Sequence, residues 1–169
     1  ADLMIADPKP GDAAKAAEAD GARLNPPKKD FKLAQTVMLA VKPQMWREAA
    51  EQYAPLISKD AVVISIAAGI KSVQLSEAFG GRGVARVMPT TPAAICQGTA
   101  SVYATTPEAL ARAHALFDPL GTVVDLGDEG LMHAATAVSG SAPAYLYAFL
   151  ETLEAAGVAA GLSAADSSL

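Results

Sequence analysis

The sequence predicts a doubly wound α/β domain followed by the beginning of an all-helical domain, and three observations carry that expectation. Short apolar runs of strand length alternate with helix-like segments up to residue 127. Several runs are apolar at nearly every position, as parallel strands covered on both faces tend to be. Beyond Gly127 the strand signals stop and only helical patterning remains. The boundary is therefore expected there, with residues 1–127 as the α/β domain and 128–169 as the start of the helical one.

The elements follow in order. Leu3 to Ala6 reads as a buried strand stopped by Asp7-Pro8. Gly11 to Ala19 is alanine-rich and helical, and Gly21 ends it. Ala22 to Leu24 is a short strand before the polar loop Asn25 to Lys29. Thr36 to Val41 is the clearest early strand; Lys42-Pro43 stops it, and Gln44 to Ala54 reads as a helix. Ala61 to Ile66 is a second continuous apolar strand, ended by Ala67-Ala68-Gly69. Ser72 is expected to cap a helix reaching Phe79. Ala85 to Met88 and Thr99 to Ala104 are strands, Pro107 to Phe117 is a helix with proline near its start, and Thr122 to Leu126 is the last strand.

The final stretch, Val138 to Tyr145, opens the longest helix. Ser139 and Ser141 are expected to cap its first turn, with Gly140 allowing a tight, positive-φ turn and Pro143 tolerated in the first helical turn. From Ala144 to Gly161 the only charges are Glu151 and Glu154. Tyr145, Phe149, Leu153, Ala156 and Ala160 form one stripe, with Leu146, Leu150, Gly157 and Leu162 beside it. A helix apolar around its circumference needs enclosure on several sides. The readings open here are an ordinary core helix and a dimer helix whose start faces an active site.

Composition narrows the function classes. Half of the residues (51%) are hydrophobic, enough for a substantial core, and the net charge of −5 with no basic cluster argues against nucleic acid and anionic membrane surfaces as partners. The single cysteine, Cys96, excludes an internal disulfide framework and fits a reducing compartment. No signal peptide opens the chain and no uninterrupted apolar span suggests a membrane helix, so the cytoplasm is the expected location.

In doubly wound folds, ligands sit in the crevice beyond the carboxyl ends of the strands. Those ends are Asp7-Pro8, Val41-Lys42-Pro43, Ala67-Ala68-Gly69 and Met88-Pro89-Thr90-Thr91-Pro92. Small and proline residues keep backbone close to a ligand there, and Lys42 is the one cation at such an end. A glycine-rich G-x-G-x-x-G turn, which would seat a pyrophosphate on a helix N-terminus, does not occur in the chain. The chain is thus expected to start at what would be the second strand of such a domain.

Four blocks stand in register: Ala40-Val41-Lys42-Pro43-Gln44, Ser65 to Ile70, Arg86 to Pro92 and Ser139 to Tyr145. Together they resemble the pyrroline-5-carboxylate reductase family. The resemblance implies a Rossmann-like domain that binds NADP(H), or NAD(H), followed by a helical domain that builds a homodimer or a larger ring of dimers. It implies hydride transfer from the nicotinamide to the C=N carbon of 1-pyrroline-5-carboxylate, giving L-proline. It also implies that a glycine-rich turn and a later serine- and glycine-rich loop complete the active site, so this stretch alone is expected to be inactive.

Residue roles carry over by position. The resemblance places Ala40, Val41, Lys42 and Pro43 beside the nicotinamide ribose, and Met88, Pro89 and Thr90 in the loop closing over the nicotinamide end. Thr90 stands where the family usually has asparagine, and a hydroxyl keeps only one of the amide's hydrogen bonds. Glu129 matches an acidic residue near the proline ring; a carboxylate there favours a cationic C=N, which accepts hydride more easily. Read from its position alone, Glu129 is an acid at a helix start, interacting with the dipole. His133 stands where aspartate is common. Asp7 lies where an acidic residue takes the ribose 2′-hydroxyl of NAD and repels a 2′-phosphate, while Lys9 and Lys28 can reach a phosphate; family habit favours NADP and Asp7 alone favours NAD. Thr90, Ala142 and His133 leave open a related reductase of another cyclic imine or small carbonyl; a catalytically silent dimerisation or regulatory module that kept the fold is a third reading.

Overall fold

The computed structural model describes residues 2–168, which fall into two compact units: 2–86 with Ala104–Ala113, and Val87–Tyr103 with 114–168. In the first unit, strand β1 (Met4–Ile5) pairs in parallel with β2 (Arg23–Leu24), and helix α1 (Asp12–Ala19) connects them. Among the described residues these two strands form a sheet of their own. Strand β3 (Thr36–Leu39) pairs in parallel with β4 (Val62–Ser65), Thr36 facing Val62 and Leu39 facing Ser65. The start of β5 (Val84–Pro89) continues the parallel ladder, Val63 facing Val84. Helices α2 (Trp46–Tyr53) and α3 (Ser72–Ala78) are the crossovers that parallel neighbours require.

Every residue of β4 is buried, which explains its continuous apolar reading. The core around it joins Trp46, Ala50, Leu75, Phe79 and Val84. Phe31 belongs to the same core through a 3-10 turn, Lys28–Leu33, and meets the Tyr53 ring edge-on with centroids 5.3 Å apart. Its flanking lysines gave this segment the look of a polar loop, and only one inward side chain anchors it.

In the second unit, β6 (Gly98–Ala104) pairs in parallel with β7 (Gly121–Asp125), and the five larger strands lie in the order β3-β4-β5-β6-β7. The amides of Thr105 and Thr90 donate to the carbonyls of Val84 and Thr99, so the pairing of β5 with β6 is antiparallel. Helix α4 (Pro107–Phe117) links β6 to β7. Gly121 has φ +143°, and a Cβ on it would overlap the carbonyl of Gly98, its partner across the ladder. Only glycine satisfies both conditions.

Two expectations need correction. Ser72 is the first residue inside α3; Lys71 is the cap, and its amide donates to the Gln74 side chain at 3.1 Å. Ser139, Gly140 and Ser141 do not open a helix. Helix α5 (Leu131–Ala135) runs through a π-helical turn, Thr136–Ser141, straight into α6 (Ala142–Ala159). The Ser139 hydroxyl donates back to the Ala135 carbonyl at 2.8 Å, Ser141 makes no capping bond, and Gly140 is absent from the positive-φ glycines. The physical reason is Pro143, which cannot donate to the carbonyl four residues earlier; a widened turn just before it lets the helix continue. A short helix α7 (Ala164–Ser167) follows, capped by Ser163, with Ser167 donating to the Glu154 carbonyl.

Two polar clusters brace the units. In the first, the buried Arg82 guanidinium donates to the carbonyls of Ser58 (2.7 Å), Ile57 (2.9 Å), Ala54 (3.2 Å) and Phe79. It thereby closes the carboxyl ends of α2 and α3, and burial pulls its pKa below the ordinary guanidinium value. In the second, His114 bridges Asp118 and Asp125, both at 2.8 Å. Hydrogen bonding to Asp118 first, and then to Asp125, raises its pKa above the ordinary imidazole value.

Arg82→Met leaves several carbonyls without a donor and is expected to cost about 2–4 kcal/mol, read from the midpoint of urea unfolding. Gly121→Ala is expected to destabilise the β6–β7 pair by a similar amount. Because the folded pKa of His114 lies above the unfolded one, its stabilisation is complete below about pH 6.5 and fades as pH rises through the folded value. His114→Gln is therefore expected to flatten stability against pH on the alkaline side while leaving the carboxylate limb at acid pH in place, as unfolding curves collected across the range will show.

Candidate functional site

The sequence-expected site residues fall at strand ends. In the first unit, β3 stops at Leu39, so Ala40, Val41, Lys42 and Pro43 form the peptide just past its carboxyl end. Lys42 is extended (φ −59°, ψ 145°), and Pro43 begins a 3-10 turn, Pro43–Met45, that leads into α2. The Met45 amide donates to the Lys42 carbonyl at 2.9 Å and closes the turn. Ala40 and Lys42 are exposed, whereas Val41 packs against the core. Lys42 is therefore presented by a short, pinned peptide.

The neighbouring strand end is held level with this one. The Ile66 amide donates to the Leu39 carbonyl at 3.3 Å, and the Ala67 amide to the Ser65 hydroxyl at 3.2 Å. Gly69 has φ +77°, and no atom lies within 4 Å of the position a Cβ would take. Backbone approachable from the open side is what a ligand with an extended phosphate or ribose surface requires.

Asp7, two residues past β1, is half-buried. Its Oδ1 accepts the Lys9 amide at 2.8 Å, an Asx turn. Its own amide donates to Asn25 Oδ1 at 2.9 Å, and its carbonyl accepts Asn25 Nδ2 at 2.8 Å. Asn25 was read only as part of a loop; the one local signal of its importance is that asparagine tolerates the left-handed backbone it adopts, φ +46°.

In the second unit, Met88, Pro89 and Thr90 occupy the carboxyl end of β5 and are half-buried. Thr90 is tied twice to β6: its amide donates to the Thr99 carbonyl and its hydroxyl oxygen accepts the Thr99 amide, both at 2.9 Å. The hydroxyl keeps its proton for a further acceptor. The following 3-10 turn, Thr91–Ile95, ends on Cys96 with φ +57°, an exposed thiol. Glu129 is half-buried in the otherwise exposed turn before α5, where its carbonyl accepts the Met132 amide at 3.1 Å. The side chain that caps this turn is Asp128, whose Oδ1 accepts the Gly130 amide at 2.7 Å. His133 is exposed.

Helix α6 has no buried residue. Tyr145, Leu146, Tyr147, Phe149 and Leu153 are each more than half exposed. No helix among the described residues is long and apolar enough to cross a membrane, and no metal-binding cluster of His, Cys, Asp or Glu occurs among them.

Comparison with known proteins accounts for this combination. A family model described as pyrroline-5-carboxylate reductase dimerisation matches residues 129–169, and one described as NADP oxidoreductase, coenzyme F420-dependent, matches residues 1–69. The pyrroline-5-carboxylate reductase of Haemophilus influenzae is 39% identical over 127 residues, covering 73% of this chain and 47% of that protein. The Pisum sativum enzyme of the same name is 40% identical over 129 residues, covering 75% and 47%. Among solved structures, the 1-pyrroline-5-carboxylate reductase of Streptococcus pyogenes is 30% identical with a TM-score of 0.79, covering 98% of this chain and 64% of that one. A Plasmodium falciparum pyrroline carboxylate reductase with NADP bound shares the fold at 24% identity and a TM-score of 0.80, covering 98% and 62%.

Parallel strands joined by crossover helices define a Rossmann-like α/β domain followed by a helical region. The chain belongs to the pyrroline-5-carboxylate reductase family. It spans about half the length of the curated relatives it matches.

Thr90→Val removes the acceptor for the Thr99 amide and is expected to cost about 1–2 kcal/mol in unfolding free energy, whereas Thr90→Ser retains most of that stability. Loss of stability in Thr90→Ser and not in Thr90→Val would show that the methyl group, not the hydroxyl, matters there.

Proposed function

We propose that the protein containing this chain reduces 1-pyrroline-5-carboxylate to L-proline with NADP(H), and with NAD(H) as a second dinucleotide. The observation that carries the reading is the set of pinned strand-end peptides, Ala40–Pro43 and Met88–Thr90, in a chain 39–40% identical to enzymes of that name. The residues present fit a dinucleotide: Lys42 is exposed on a closed turn, Gly69 leaves open space beside its backbone, and the second Asp7 carboxylate oxygen accepts no hydrogen bond among the described residues. Residues 1–127 form the cofactor-binding part in this reading and 128–169 begin the dimerisation part, which the family match over 129–169 supports.

When bound, the dinucleotide supplies the hydride. Ala40, Val41, Lys42 and Pro43 bind beside its nicotinamide ribose, and Lys42 adds a positive charge for its oxygens. Met88 and Pro89 exclude water at the reacting end, and the Thr90 hydroxyl donates to an acceptor there. Glu129 accepts a hydrogen bond from the protonated ring nitrogen of the substrate and so keeps C=N cationic. As hydride reaches the carbon, the C=N π pair returns to nitrogen, which becomes the secondary amine of proline.

The exposed apolar surface of α6 supports a homodimer as the working assembly, with further association of dimers as an extension of the same reading. Cytoplasmic location is part of the proposal; the exposed Cys96 thiol suits a reducing compartment.

The purified enzyme is expected to oxidise NADPH only when pyrroline-5-carboxylate is supplied, with L-proline as product. Oxidation driven by a different cyclic imine and not by this one would overturn the substrate assignment. Glu129→Gln is expected to lower kcat/KM about 100-fold, most strongly at pH values where the free imine is unprotonated. Replacing Phe149 and Leu153 with glutamate is expected to convert a dimer to monomers in analytical ultracentrifugation.

A further inference from the structure

Asn25 makes two side-chain hydrogen bonds, and both go to the main chain of one residue. Its Oδ1 accepts the Asp7 amide at 2.9 Å and its Nδ2 donates to the Asp7 carbonyl at 2.8 Å. The Asn25 amide meanwhile donates to the Ile5 carbonyl at 2.7 Å, continuing the β1–β2 ladder. Asn25 is exposed, so burial does not explain this arrangement, and its backbone is held at φ +46°. Non-glycine residues in that conformation carry a cost that surrounding structure must offset. The cost is met by a reciprocal amide clamp on the main chain of a single residue.

The clamp has one evident beneficiary. With its amide and carbonyl both held by Asn25, and Oδ1 committed to the Lys9 amide, Asp7 retains Oδ2 as its one hydrogen-bonding group without a partner among the described residues. A carboxylate oxygen whose backbone and second oxygen are fixed from three directions is preorganised to accept from a hydroxyl, and it repels a phosphate at the same spot.

We infer that Asn25 is a positioning residue for cofactor discrimination: by clamping the main chain of Asp7 it fixes the carboxylate that reads the 2′ substituent of the adenosine ribose. Its role rests on the placement of Asp7 at the cofactor proposed above. Asn25 itself touches no cofactor atom; it acts through Asp7.

A binding cycle on the full chain tests this, with NADH and NADPH as titrants followed by nicotinamide fluorescence. Asn25→Gly suits the purpose because glycine adopts the left-handed backbone without strain, so only the clamp is lost. Asn25→Gly is expected to weaken NADH binding about fivefold to tenfold and to change NADPH binding less than twofold, shifting discrimination towards NADPH. Asp7→Ser is expected to shift it further in the same direction, and Asn25→Gly added to Asp7→Ser is expected to do nothing more. Amide hydrogen exchange at Asp7 and Lys9, measured without any dinucleotide, is expected to quicken in Asn25→Gly. Equal losses of NADH affinity from Asn25→Gly with and without Asp7→Ser would overturn the positioning role, as would unchanged affinity for both dinucleotides. If Asp7→Ser itself alters neither affinity, the placement of Asp7 at the cofactor fails instead.

Discussion

Strand β4 has water on neither face, and the chain around it is arranged to keep it so. Its four residues are all buried, including Ser65, whose hydroxyl is satisfied by the Ala67 amide two residues on. A strand buried on both sides can pair only with strands delivered by crossovers, which is why α2 and α3 are needed and why β3 and β5 run parallel to it. The chain must then leave the sheet at the carboxyl ends together, and the Ile66–Leu39 hydrogen bond keeps two of those ends level. The candidate binding peptide 40–43 and the open backbone at Gly69 are consequences of that exit.

Polar side chains finish what apolar burial begins. Arg82 closes the carboxyl ends of two helices with one guanidinium, using all the geometry of its planar fork. His114 joins the last turn of α4 to β7 through two carboxylates. Asn25 clamps the main chain of a single residue. The contrast in exposure matters: Arg82 is buried and its loss strands acceptors, whereas His114 and Asn25 are accessible and act on position more than on stability.

Helix α6 follows the opposite rule. Its apolar residues stay exposed because none of the described residues covers them. A helix apolar all round is stable only when enclosed, and the homodimer proposed above would supply such a surface in the stretch that matches the family's dimerisation model.

Periodicity and punctuation determined much of this protein unaided. Continuous apolar runs located β3 and β4, in β4 because double burial removes the alternation of a half-solvated strand, and Lys42-Pro43 and Pro89 marked strand ends because proline cannot carry the ladder onward. Tertiary structure decided what no local pattern encodes. The sidedness of the Lys28–Leu33 turn hangs on Phe31 meeting Tyr53, far along the chain. The Ser139–Ser141 segment looked like a cap and is a π turn, because Pro143 widens a helix that α5 has already started. Asn25 and Asp7 are 18 positions apart and meet only once β1 and β2 pair. Short-range preferences are set by the chain's own sterics and so can be read along it, whereas long-range pairing depends on which surfaces are left to bury once the elements exist.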